Sequence, residues 1–169
     1  MDLTRAIVDE IPYLRRFARG LTGDRHQADD LVQDCVERAL SRLHLYDRSR
    51  NLRNWLFTIL RNIHVNNLRK HSSRGPHVDV ENVPESLLSG DAEQFGHVVV
   101  NDISKALDGL PPQQREVLLL ISLEQVSYVE AAQILDVPIG TIMSRLSRGR
   151  NRLRDLLEVQ SKPGLRQIK

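Results

Sequence analysis

Apolar residues recur along this chain with the spacing of helices. In residues 3–19, Ile7, Ile11, Leu14, Phe17 and Ala18 share one side, with Pro12 predicting an interruption or a late start. In 25–43 the stripe is Ala28, Leu31, Val32, Cys35, Val36, Ala39, Leu40 and Leu43, and in 51–69 it is Leu52, Trp55, Leu56, Ile59, Leu60 and Ile63. Residues 71–95, rich in Ser, Pro and Gly, break the pattern and read as a linker with a helical turn near Leu87. Periodicity resumes over 102–110, 113–123, 128–135 and 138–157, and Pro111-Pro112 suits a first helical turn. His97 to Val100 is the one strand-like stretch and is too short to build on. The expected fold is all-α: two small helical domains, 1–74 and 101–160, joined by a flexible acidic linker over 75–100 and followed by a basic tail, 161–169.

Aromatic residues make up 4% of the chain, so the core must come from Leu, Ile, Val and Ala, which suits helix-on-helix packing. The net charge of +2 hides a division. Residues 1–74 hold 14 Lys/Arg against 9 Asp/Glu, residues 75–104 hold none against 6, and residues 139–169 hold 8 against 2. Two basic regions attractive to phosphate therefore flank a stretch that a nucleic acid backbone would avoid.

Metal and catalytic chemistry find little support. Cys35 is the only cysteine and lies on an apolar stripe, and the six histidines lack ligand-like spacing. There is no Gly-rich phosphate loop and no HExxH, and the adjacent Asp29 and Asp30 do not share a helical face. The expectation is a protein that is not an enzyme, with no catalytic residues, no metal and no cofactor. With no signal peptide at its start and no long apolar run, it is expected in the cytoplasm without membrane insertion.

The last third predicts a helix-turn-helix. Ala131 and Ala132 allow close helix approach, with Val129, Leu135, Ile142 and Leu146 filling the interface. Asp136 is placed to end the first helix in a left-handed conformation. On the second helix Thr141, Ser144, Arg145 and Arg148 lie on or near the outer side, where hydroxyls and guanidiniums suit phosphates or base edges. The run from Arg148 to Arg154, taken alone, reads less readily as a merely solvated charged face, and the turn and preceding helix weigh further against that reading.

The N-terminal unit is less specific. On the second helix Asp29 and Asp30 suit the N-terminal end of the dipole. Gln33, Asp34, Glu37 and Arg38 form a polar face that is either solvated or a docking surface. The third helix combines Arg53, Asn54, Arg61, Asn62, Asn66, Asn67, Arg69 and Lys70, and asparagines among basic residues suit hydrogen bonds to bases and phosphates. Trp55 reads first as core. The loop with Tyr46, Asp47 and Arg48 has the groups to hold an unpaired base.

These segments resemble the bacterial RNA polymerase sigma factors of the extracytoplasmic-function (ECF) type. Ala28-Asp29-Asp30-Leu31-Val32-Gln33-Asp34 with Arg38-Ala39 looks like the region 2 polymerase-binding helix, and Trp55 to Asn62 like the promoter-melting segment. Leu110 to Val117 resembles the opening of region 4, and Ser127 to Ala132 with Gly140 to Leu146 its helix-turn-helix. The ordered set spans roughly residues 5–158. Ile11-Pro12-Tyr13-Leu14 and Arg16-Phe17-Ala18-Arg19 also resemble the general-stress branch.

The resemblance implies an alternative sigma factor that binds core RNA polymerase and promoter DNA and is restrained by an anti-sigma factor. It gives core polymerase to Asp30, Gln33, Asp34 and Arg38, and −10 DNA to Tyr46, Asp47, Asn54, Arg61 and Asn62. It gives −35 DNA to Thr141, Ser144, Arg145 and Arg148. The apolar residues Val83, Leu87, Leu88 and Val98 to Val100 are candidates to help pack a partner. Met143 stands where lysine is common, Val126 and Asp136 where glycine is, and Asn66-Asn67 where a more acidic pair is usual; these departures bear on promoter preference. Two rival readings are a stand-alone helix-turn-helix regulator and a mimic that occupies an anti-sigma factor without binding DNA.

Overall fold

The computed structural model describes residues 2–73 and 94–161. Seven α-helices make up this part: α1 (Leu3–Thr22), α2 (Arg25–Ser41), α3 (Leu52–Ser73), α4 (Gln94–Asp108), α5 (Pro112–Leu118), α6 (Tyr128–Leu135) and α7 (Ile139–Ser161). A 3₁₀ turn, Leu43–Leu45, follows α2, and a π turn, Leu119–Leu123, extends α5. No strand occurs among the described residues.

The first helix runs unbroken through Pro12. Proline cannot donate to the carbonyl four residues back, but it sits on the exposed side, and the buried run Ile7, Leu14, Phe17, Ala18 and Leu21 holds the helix to its neighbours. Asp2 caps the start, and Gly23, at φ 69, closes the end in the left-handed region. Asp24, not Asp29, caps α2 by accepting from Gln27 N at 2.8 Å. Asp29 lies beyond the first turn of α2, where the dipole is weaker, and faces Arg15 on α1 at 3.6 Å. α2 also ends before Leu43, and Leu40 is exposed rather than on the buried stripe. α1, α2 and α3 enclose Phe17, Leu56, Phe57, Leu60 and Cys35, with the rings of Phe17 and Phe57 4.9 Å apart.

In the C-terminal head, α4 starts at Gln94, so His97 to Val100 is helical and the expected linker boundary at 100 falls inside a helix. Val99 and Val100 are exposed. The helical turn expected near Leu87, the acidic stretch before α4 and the tail lie outside the described residues. Ser127 opens α6 with a reciprocal capping box: its hydroxyl accepts from Glu130 N, and the Glu130 carboxylate accepts from Ser127 N. Asp136 ends α6 at φ 52, as expected. A second left-handed residue, Gln125, precedes the buried Val126. Ala131, Leu135, Ile142 and Leu146 fill the helix-turn-helix interface. Val129 does not: it is 57% exposed, because the inward stripe of α6 passes through Ala131, Ile134 and Leu135.

The two heads are packed against each other. Val117, Leu119 and Leu120 belong to the same buried cluster as Phe17, Leu21 and Phe57. Leu119 lies over Gly20 of α1 so closely that a Cβ there would come within 2.6 Å of it. The Arg115 guanidinium reaches under α1, donating to Leu21 O at 3.1 Å while pairing with Asp108 at 3.4 Å.

Candidate nucleic-acid interface

α2 gathers Asp30, Gln33, Asp34 and Arg38 on its exposed face. Positions 30, 34 and 38 follow one another at single-turn spacing, which aligns them along the axis. Gln33 donates to Glu37 at 3.1 Å, and among the described residues no side-chain hydrogen bond or ion pair ties this row to another element.

The second group sits on α3 and the loop before it. Tyr46 packs on Trp55 with ring centroids 5.0 Å apart, and Trp55 is half-buried rather than part of the closed core. Asp47 accepts from the backbone N and hydroxyl of Ser49 at 2.9 and 2.8 Å, bonds that hold its carboxyl below the usual range. Arg50 faces the same carboxylate at 3.6 Å, so the loop is organised around one acid. Asn54 and Arg61 lie two turns apart on α3, and both point toward the C-terminal head. Asn54 Nδ2 donates to Glu130 Oε1 at 2.8 Å, and Arg61 Nε donates to Glu116 Oε1 at 3.4 Å. Asn62 is exposed. Arg53 is withheld from any ligand: it pairs with Glu10 and lies 3.5 Å over the Tyr13 ring, pinning the start of α3 to α1.

The third group is on α7. Ser144 and Arg148 are exposed and Thr141 is half-buried, while the Ser144 hydroxyl is turned back onto Thr141 O at 3.1 Å. Arg145 is half-buried on the side facing α5, where its charge acts on Glu116. Gly149 is buried against Gln114, where a Cβ would meet Gln114 Cβ at 3.4 Å; the small residue lets α7 lie close to α5.

Two acids in this head were not singled out from sequence. Glu116 and Glu124 are 4% and 6% exposed. Burial raises the Glu116 carboxyl above its ordinary range, opposed by Arg61 and Arg145. Glu124 is bound on both oxygens by Arg16, at 2.8 Å each. Their signal was present: residues 116, 120 and 124 recur at intervals of four around the buried Leu120, placing both acids on an inward face.

The comparisons with known proteins divide the chain at the same place as the helices. The family model described as the Sigma2 domain of PhyR matches residues 7–61, and that described as Sigma-70, region 4 matches residues 101–153. The chain is 39% identical over 163 residues to the ECF RNA polymerase sigma factor EcfG of Rhodopseudomonas palustris, covering 94% of this chain and 89% of that one. It is 34% identical to SigM of Bacillus subtilis, covering 83% and 86%. Among solved structures it is similar to the sigma factor RpoE of Bartonella quintana in complex with the anti-sigma factor NepR, at a TM-score of 0.76 and 36% identity, covering 94% of this chain and 98% of that one. The described helices include none long and apolar enough to cross a membrane. With the motifs in order and relatives matched over nearly their whole length, the chain belongs to the ECF RNA polymerase sigma factors, alternative sigma factors that direct promoter-specific transcription initiation.

Proposed function

We propose that the three groups divide the work of initiation among Asp30, Gln33, Asp34 and Arg38 for core RNA polymerase, α7 for the −35 duplex, and α3 with its loop for the opened −10 strand. The observation that carries this reading is the Tyr46–Trp55 stack beside Asn54: an aromatic surface and an amide donor on one edge suit an unpaired base. Asp47, Arg61 and Asn62 extend that edge with polar groups. On α7, Arg148 supplies a free guanidinium for phosphate or guanine, and Thr141, Ser144 and Arg145 complete the surface. Binding energy spent on the single strand favours melting, so the chain acts by binding and catalyses no reaction itself. It acts in the cytoplasm, without a cofactor.

A structural relative, the B. quintana sigma factor RpoE, is bound by the anti-sigma factor NepR. We infer that a comparable partner restrains this chain, with exposed Val99 and Val100 on α4 available to its packing. The general-stress assignment rests on the N-terminal resemblance around residues 11–19.

The deciding experiment adds the purified chain to core RNA polymerase and maps transcripts started from fragmented DNA of its host. The expected result is a set of starts sharing upstream −35 and −10 elements, with Asn54→Ala impairing opening and Arg148→Ala impairing duplex binding. Specific starts that neither substitution affects would remove those residues from the assignment.

A further inference from the structure

Pro12, Arg15, Arg16 and Arg19 recur at single-turn spacing along α1, and Arg25 and Asp29 lie one turn apart at the start of α2. The two rows line an open cleft of about 460 Å³ between the helices. Its four arginines meet one carboxylate within the cleft, Asp29, which lies 3.6 Å from Arg15 Nε. Among the described residues no side-chain hydrogen bond or ion pair engages Arg19 or Arg25, and both are exposed. Arg15 and Arg19 are like charges one turn apart, an arrangement that costs helix stability unless an anion offsets it.

One of the four guanidiniums is fixed in advance. Arg16 donates from Nε and Nη2 to the two oxygens of Glu124, whose side chain is 0% exposed. That bidentate grip sets the plane of the guanidinium and leaves Nη1 and the second N–H of Nη2 without a protein acceptor, on a side chain that is 47% exposed. No aromatic ring lines the cleft, so nothing in it stacks a base. A nucleic acid backbone spreads single charges along a groove, whereas guanidiniums gathered in one cleft suit several charges on one compact group.

We propose that the cleft between α1 and α2 is a binding site for an oligophosphate, a short chain of linked phosphates carried free or at the end of a nucleotide. Arg19 and Arg25 bring unpaired guanidiniums, Arg16 brings a pre-oriented one, and Arg15 exchanges its long contact with Asp29 for the ligand. Asp29 repels any anion that enters, so a single phosphate gains less there than a chain of them. None of these residues belongs to the polymerase row or to the DNA-facing groups, and the site stands independently of those assignments. A bound anion stabilises the folded chain by mass action.

The test titrates the full chain with inorganic tripolyphosphate by isothermal calorimetry at fixed ionic strength, with orthophosphate and a nucleoside triphosphate as parallel probes. Arg19→Gln and Arg25→Gln each remove one charge from the cleft. Arg5→Gln removes one from the same helix α1 outside it, where the side chain is 81% exposed. Circular dichroism checks that helix content is kept, and because the cleft variants alter exposed residues on different helices, misfolding of one leaves the other usable. Wild type should bind one tripolyphosphate per chain, more tightly than orthophosphate, and its thermal midpoint should rise with the ligand. Each cleft variant should weaken binding about tenfold, the loss of one charge-assisted hydrogen bond, while Arg5→Gln should bind as wild type does. A nucleoside triphosphate that binds more tightly than tripolyphosphate makes a nucleotide the source; the reverse order makes it a free oligophosphate. Several tripolyphosphates per chain, no measurable binding, or equal losses in all three variants would overturn the site. So would single-stranded DNA binding that falls in step with tripolyphosphate binding in the cleft variants, since the arginines would then serve a nucleic acid backbone.

Discussion

Gly23 and Asp108 meet at the seam between the heads: a Cβ on Gly23 would lie 2.8 Å from Asp108 Oδ1. Gly23 also holds φ 69 at the end of α1, so a side chain there meets two obstacles, a left-handed backbone and a carboxylate. Gly23→Ala should destabilise the chain, with the backbone alone costing about 1–2 kcal/mol. Gly23→Asn tolerates that backbone better and isolates the clash. Chemical denaturation of both variants, beside Asp108→Ala, checks the division.

Ser127 should be worth about 1 kcal/mol as the cap of α6, so Ser127→Ala should lower the stability of the helix-turn-helix by that amount. Glu130 accepts from the Ser127 backbone and from Asn54, and the Ser127 bonds hold its carboxyl below the ordinary range. A carboxyl lowered by folding stabilises above its unfolded value, near 4.5, and loses that contribution as pH falls through the folded value. Glutamine is an accepted capping-box partner; Glu130→Gln should retain more of the stability than Glu130→Ala, as read by thermal unfolding.

His64 lies half-buried on α3, within the influence of Arg115 and Arg61. Burial, then Arg115 and Arg61, lower its pKa from 6.5. The unfolded chain therefore takes up a proton on His64 before the folded chain does. Stability should fall as pH drops below about 6.5, until the folded imidazole also titrates. Glu116, whose carboxyl is raised, works in the opposite direction on acidification. Comparing thermal midpoints of wild type and His64→Gln between neutral and mildly acidic pH isolates the histidine; equal slopes would remove it from the account.

Cys35 should be inert in the folded protein. It is wholly buried, with Sγ 3.5 Å from Leu56 O, and burial pushes its thiol up to about 12. Its reaction with an aromatic disulfide reagent should follow the opening of the N-terminal head and accelerate only near the unfolding transition. Fast labelling under native conditions would contradict the packing of α2 on α3.

Arg145 and Arg148 should separate by phenotype. Arg148 is exposed, so Arg148→Ala should weaken −35 duplex binding by about 1–3 kcal/mol with little effect on folding. Arg145→Ala should additionally shift thermal stability, because Arg145 offsets the buried charge of Glu116. Holoenzyme binding to −35 duplex and thermal melts of the free chain make the comparison.

The helices were legible in the sequence because their cause is local. The spacing of Leu31, Val32 and Cys35, or of Ile59, Leu60 and Ile63, follows one face of a helix whatever lies opposite, and α6 falls on its expected bounds. Pro12 misled because a single missing donor on an exposed face is outweighed by the buried side. Val129 misled because β-branched bulk reads as core until the phase of Ala131, Ile134 and Leu135 is fixed. The candidate surfaces were legible as types: exposed acids on α2, asparagines and arginines on α3, a basic α7. Their pairing was not. Arg16 finds Glu124 across 108 residues and Asn54 finds Glu130 across 76, and such partners are chosen by tertiary packing, not by spacing.

Glu116 has a genetic consequence. One carboxylate answers to Arg61 from one head and Arg145 from the other, so the two arginines are not independent. Their substitutions should show epistasis: removing one changes what the other balances, and the double mutant should depart from the sum of its parts. With Arg61 proposed for the −10 element and Arg145 for the −35 element, altered recognition at one would then be felt at the other, and drift in sequence preference along a lineage would move both ends of the promoter together.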